Sequence, residues 1–191
     1  MDAINLTKRY TYADYLTWID DKTRELIDGF VHIMSPAPKL IHQRLGTKIV
    51  NKIYNLIEKN RGQCEVFYET CVRFPKNEIK NDSIYDVVHP DIIVVCDPSK
   101  LDENGCLGAP DLIVEILSDS TLKRDWNYKF NLYEENGVRE YWIVDPKAKT
   151  CNVFIQQSDF KYDNGTVYDS SQKLPIYIFD GLEINLDDIF K

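Results

Sequence analysis

The order of apolar patterns along this chain predicts an α/β (α+β) fold, a mixed β-sheet flanked by helices with extra β-hairpins. Three observations carry that expectation. An amphipathic helix pattern runs from Lys39 to about Asn60, strand-like runs rich in Val and Ile follow at 64–74, 89–96 and 111–118, and a second helix pattern separates these from a further strand at 140–144. Helix, strand, strand, strand, helix, strand is an order that favours helices layered on a mixed sheet.

Taken in order, residues 11–20 read as a short helix, and Arg24 to Met34 as a hairpin turning at Asp28-Gly29, a dipeptide suited to the positive φ angles of a tight turn. Ser35-Pro36-Ala37-Pro38 then breaks the chain. In the long helix Ile41, Leu45, Ile49, Ile53, Leu56 and Ile57 recur at spacings of three and four, while Arg44, Thr47, Lys48, Asn51 and Asn55 lie on the other side. The polar stretches Lys76–Asp86 and Asp97–Gly108 read as loops. The second helix, from about Thr121 to Glu135, is stopped by Asn136-Gly137, and 150–179 holds further hairpin material.

A length of 191 residues suits one domain, 1–191, with a sizeable core. The composition, 43% hydrophobic and 28% charged, is that of an ordinary globular protein, and no run approaches a membrane span. Met1-Asp2-Ala3-Ile4-Asn5-Leu6 has neither a basic n-region nor an apolar h-region, so a cytoplasmic protein without a secretory leader is expected. Cys64, Cys71, Cys96, Cys106 and Cys151 are odd in number and widely spaced, giving neither a disulfide framework nor a zinc pattern; reduced structural cysteines are expected.

The formal charge of −8 weighs against a surface coated for nucleic acid, because phosphate contacts come from Lys and Arg. That weight is lessened in two ways. Metal-binding carboxylates themselves add negative charge, and Lys39, Arg44, Lys48, Lys52 and Lys59 gather on one segment.

Two carboxylates stand inside apolar strand-like runs: Asp91 opens Asp-Ile-Ile-Val-Val and Glu115 interrupts Leu-Ile-Val-Glu-Ile-Leu. An ionised carboxylate among Val and Ile needs a cation, a metal or several donors facing it, since burying it alone costs several kcal/mol. Strand alternation puts Ile113, Glu115 and Leu117 on one face. On the following helix Lys129 falls within about 100° of Leu122, Trp126, Phe130 and Tyr133, which turns it toward the sheet. A buried Glu115–Lys129 ion pair explains those two residues as well as a catalytic site does. Asp91 tilts the balance, because paired carboxylates on neighbouring strands are the oxygen donors that Mg²⁺ takes. A Pro-Asp strand opening is weak by itself, as the second one at Pro110-Asp111 illustrates.

The runs His-Pro-Asp-Ile-Ile-Val-Val at 89–95 and Ala-Pro-Asp-Leu-Ile-Val-Glu-Ile-Leu-Ser at 109–118, then Asp125, Lys129 and Tyr133, then Gly-Val-Arg-Glu-Tyr-Trp-Ile-Val-Asp-Pro at 137–146, resemble the Uma-two family of proposed restriction endonucleases. Glu-Leu-Ile-Asp-Gly at 25–29 and His42-Gln43 match its N-terminal half, and the resemblance runs from about Tyr10 to Asp188. That family belongs to the PD-(D/E)XK nuclease-like superfamily, so the resemblance implies a restriction-endonuclease-like central mixed sheet between helices. It also implies that Asp91 and Glu115 hold metal. Leu117 stands where the superfamily has its lysine, and the resemblance implies that Lys129 takes that place from the next helix; Glu25 matches an upstream acid that supports metal or water, unless it is a surface strand glutamate near a turn.

The expected activity is that of a Mg²⁺-dependent endonuclease, with Mn²⁺ as substitute, hydrolysing nucleic-acid phosphodiesters, DNA ahead of RNA, as a homodimer and away from membranes. The catalytic set is Asp91, Glu115, Lys129 and Glu25. The competing class is a catalytically inactive nuclease-fold protein acting in nucleic-acid binding or assembly. A carboxylate-pair glycosidase gives Lys129 no role. His42 reads as a satisfied structural histidine, Asp125 as a partner of Arg124 or Lys123, and Tyr133 and Trp142 as core aromatics.

Overall fold

Local chemistry fixes the first elements. The Thr11 hydroxyl and the Asp14 carboxylate each accept the other's backbone N–H and so open α1 (Tyr12–Tyr15) with a capping box. Asp28 and Gly29, at φ 50° and 79°, make the turn between β1 (Arg24–Ile27) and β2 (Phe30–Ile33), which pair from Arg24↔Ile33 to Ile27↔Phe30. The computed structural model describes residues 4–20, 22–34, 39–60, 62–76, 78–118 and 128–191.

Helix α2 (Leu40–Lys59) fills the predicted span, with Lys39 and Asn60 as its caps, and buries His42, Leu45, Gly46, Ile49, Ile53 and Ile57. Each fully buried Leu or Ile contributes about 1.5–3 kcal/mol, against propensity differences of less than about 1 kcal/mol per residue, so packing sets the rotation of the helix. Ile41, counted on the apolar side by its spacing, is exposed.

The run 64–74 is two strands rather than one. Glu69 adopts φ 49°, and the chain passes from β3 (Glu65–Tyr68) into β4 (Val72–Phe74), which joins a different sheet. The strands β5 (Asp86–Val88), β6 (Ile92–Val95), β9 (Leu112–Ile116), β10 (Glu140–Asp145), β11 (Thr150–Ile155) and β12 (Thr166–Asp169) complete most of the framework. The expected loop at 97–108 contains a 3-10 turn (Pro98–Lys100) and a small hairpin, β7 (Leu101–Asp102) with β8 (Gly105–Leu107).

Among the described residues these strands form two six-stranded mixed sheets, in place of a single central one: β2-β1-β5-β4-β8-β7 and β12-β11-β10-β9-β6-β3. Each is antiparallel except for one parallel pair, β4 with β8 and β9 with β10. In the second sheet, alternation sends Ile92, Val94, Leu112, Val114, Ile116, Trp142 and Val144 toward α2, and Ile93, Val95, Ile113, Tyr141 and Ile143 into a core on the opposite face. A Cβ at Gly46 would meet the Tyr68 ring at 2.5 Å, so glycine allows α2 its close approach to β3.

The C-terminal segment adds β13 (Lys173–Pro175) paired with β14 (Glu183–Asn185) and a last helix, α4 (Leu186–Phe190), an element the sequence pattern did not announce. It claims part of the basic cluster. Lys48 Nζ donates to the Ile189 and Lys191 carbonyls, and Lys52 Nζ lies 2.7 Å from Asp188, so these two lysines serve the fold. The fully reduced cysteine set is also corrected: Cys64 and Cys96 form a disulfide. The register Glu65↔Val95 continues outward to place these two opposite one another, which their separation of 32 residues conceals. Cys71, Cys106 and Cys151 are free thiols. Among the described residues no helix is long and apolar enough to cross a membrane.

Candidate active site

Glu115 lies near the end of β9, on the face turned away from α2, and is 4% exposed. Its compensation comes from the helical segment that ends in α3 (Phe130–Glu135). Lys129, at the start of α3 and 2% exposed, puts Nζ 2.8 Å from Glu115 Oε1 and 2.8 Å from Glu25 Oε1. Tyr133, one turn later, donates its hydroxyl to the same Glu115 Oε1 at 2.7 Å. Residues four apart share a helix face, which delivers both donors to one oxygen.

Glu25, in the middle of β1, is fully buried, which removes the surface-glutamate alternative. Its Oε1 also accepts the His89 backbone N–H at 3.1 Å. Lys129 therefore joins the two large sheets through a carboxylate of each. Removing one member of such a buried set leaves charge uncompensated, a loss on the order of 3–5 kcal/mol.

Asp91 precedes β6 by one residue. The pairing Ile92↔Val114, continued by one step, sets Asp91 opposite Glu115. Its Oδ2 accepts the Ile116 N–H at 2.6 Å and lies 3.1 Å from His42 Nε2, while its carbonyl accepts the Glu69 N–H at 2.8 Å. The expected placement of two carboxylates on neighbouring strands is thus met by the backbone, with the Asp91 side chain anchored to the amide next to Glu115.

The histidines nearby are pushed in opposite directions. Burial disfavours the charged His42 ring, but the hydrogen bond and charge of Asp91, aided by Glu69, outweigh it and raise the pKa. For His89 burial wins, with Lys129 adding to it against Glu25, and the pKa falls. The His89 ring nitrogen Nε2 lies 3.3 Å from the Tyr15 hydroxyl. Burial, then the charge of Glu115, holds the Tyr133 phenol well above its ordinary pKa, so it remains a donor.

Of the expected catalytic set, Glu25, Glu115 and Lys129 meet at one junction between the sheets, while Asp91 stands on the neighbouring strand with its carboxylate on the Ile116 amide and His42. Leu117 stays in the core beside Tyr133 and Tyr141 and supplies no cation. Asp125, with Lys123 and Arg124, and the Leu122 and Trp126 used in the helical phase, lie outside the described residues. Sequence patterning undervalued two residues, Tyr133 and His42, both of which touch a candidate carboxylate. The i, i+4 spacing of Lys129 and Tyr133 was the available signal for the first; for the second the neighbouring apolar Ile41 and Leu45 masked it.

The donor chemistry suits a hard divalent cation. Asp91 and Glu115 offer oxygen ligands from adjacent strands, and Mg²⁺ commonly takes one or two carboxylates and completes its shell with water and substrate phosphate. Among the described residues, no group of three or more His, Cys, Asp or Glu is placed to hold a metal ion, so protein ligands beyond these two carboxylates are not on hand.

The fold and this junction define a nuclease-like α+β protein. Residues 12–187 match the Uma2 family, whose description is "Putative restriction endonuclease", and the chain belongs to that family. A relative from Synechocystis sp. (strain ATCC 27184 / PCC 6803 / Kazusa), "Uncharacterized protein slr1290", is 29% identical over 153 residues, spanning 76% of this chain and 74% of that one. A crystal structure from Anabaena variabilis ATCC 29413, described as a "putative nuclease belonging to DUF820", shares the fold at a TM-score of 0.75 and 22% identity, covering 95% of this chain and 97% of that one.

Proposed function

We propose that this chain is a divalent-metal-dependent endonuclease that hydrolyses phosphodiesters, DNA in preference to RNA. The observation that supports it best is Lys129, buried between Glu25 and Glu115, with Asp91 anchored beside Glu115 on the next strand. A lysine facing paired carboxylates is more than a core needs, and it is what phosphoryl chemistry uses.

In this reading Asp91 and Glu115 hold the metal. Mg²⁺, or Mn²⁺ in its place, supplies Lewis-acid polarisation of the phosphate and a lowered pKa for bound water. Lys129 fixes the Glu115 carboxylate and brings positive charge to the phosphate, and Glu25 fixes Lys129. His42 holds Asp91 from the α2 side. Cutting both strands of a duplex with one small site each calls for two copies related by a two-fold axis, and we include a homodimer in the proposal.

The competing reading, a nuclease-fold protein that binds or assembles without cleaving, draws on the same geometry: Lys129 already engages both glutamates. Nicking of supercoiled plasmid in Mg²⁺ or Mn²⁺ separates the two, with a single-stranded RNA assayed in parallel. Wild type should nick the plasmid and Asp91→Asn should not. Equal rates in the two proteins, or none in wild type, would count against the endonuclease.

A further inference from the structure

We propose that Tyr133 is a positioning residue for the metal ligand Glu115, an inference that rests on the metal-dependent reading above. The hydroxyl is the only polar atom on a side chain otherwise devoted to the core: the ring packs edge-on against Tyr141 with centroids 5.0 Å apart and lies 6.1 Å from Phe74. Phenylalanine would fill that space equally well. The hydroxyl instead reaches Glu115 Oε1, an oxygen that Lys129 also contacts.

Two donors on one carboxylate oxygen do what one cannot. A lysine ammonium alone is a flexible point charge that can follow a rotating carboxylate, whereas a phenol carried on a packed ring fixes a direction. With Oε1 held between Nζ at 2.8 Å and the phenol oxygen at 2.7 Å, rotation of the carboxylate about its last bond is restricted. A hard cation then meets Glu115 in one orientation. Both donors sit on the same helical segment, so its docking against the sheet sets the ligand as well as the charge.

The test compares wild type, Tyr133→Phe and a variant carrying 4-aminophenylalanine at position 133, which restores an N–H donor on the same ring. The Mn²⁺ concentration giving the half-maximal thermal shift is read first, then nicking and the affinity for uncleaved DNA. Tyr133→Phe should melt cooperatively without metal and require about 10- to 100-fold more Mn²⁺, the usual penalty for losing an outer-shell partner. Its nicking at fixed Mn²⁺ should fall in proportion, with DNA affinity unchanged, and the amine should recover much of both. Equal Mn²⁺ requirements in a wild type that does respond would overturn the role of Tyr133 and leave the metal reading standing. A Tyr133→Phe chain that no longer folds without metal would make the hydroxyl structural and also overturn it. No Mn²⁺ response in wild type would overturn the metal reading and this inference together.

Discussion

Two buried glutamates on neighbouring strands of one sheet have been given opposite surroundings. Glu115 on β9 faces the core that holds Tyr133 and Tyr141, and a lysine ammonium and a phenol meet it. Glu140 on β10 is fully buried and accepts the Trp142 indole N–H at 2.6 Å and the Ile178 backbone N–H at 2.9 Å. Burial pushes Glu140 up to about 7, in spite of those donors. The contrast separates two uses of a buried carboxylate. Neutral donors let Glu140 pin the C-terminal segment to the sheet, while Glu115 is met by a cation as well as a phenol.

The strongest break in this contrast comes from removing the cation. Lys129→Met should lower nicking by orders of magnitude and, because Glu25 and Glu115 then face each other without it, lower unfolding stability by about 3–5 kcal/mol in chemical denaturation. Lys129→Met with wild-type stability would show that the ammonium is not what makes burial of the two glutamates tolerable.

The next effect falls on the other glutamate. Because its folded pKa of about 7 stands above the ordinary 4.5, the folded state binds more protons in that window. Its contribution is present below about pH 4.5 and is lost as pH rises through 7, up to about 3 kcal/mol in all. Denaturation series from pH 4.5 to 8 should show that slope in wild type and a flatter profile in Glu140→Gln. Parallel profiles would place the titration elsewhere.

Much of the site was legible because its signals are local. The period of two in 111–117 and the helical period through Lys129 each gave a facing direction, and both directions met in the observed 2.8 Å contact. The Asp28-Gly29 turn and α2 were legible for the same reason. What stayed hidden depends on strand register across the chain. The turn at Glu69 sends one apparent strand into two sheets, the Cys64–Cys96 bridge follows from the β3–β6 pairing, and the partners of buried Glu25, the Lys129 ammonium and the His89 amide, arrive from distant segments. Glu140 was half hidden: Trp142 stands two residues on along its own strand, but its other partner comes from residue 178.

A smaller effect concerns Asp91. Saturating Mn²⁺ at about 100 times its Kd should stabilise wild type by about 2.7 kcal/mol, and Asp91→Asn should lose most of that gain. Its loss without metal should be modest, since the amide oxygen can still accept the Ile116 N–H. A full Mn²⁺ shift in Asp91→Asn would remove Asp91 from the ligand set.

Nicking of supercoiled plasmid at a fixed pH and saturating Mn²⁺, by wild type, Glu115→Gln and Glu140→Gln side by side, tests the contrast most directly. Glu115→Gln should lose cleavage by orders of magnitude while Glu140→Gln keeps the wild-type rate. Equal rates in the two variants, whether both retained or both lost, would contradict the assignment of the cation-paired glutamate as the working one.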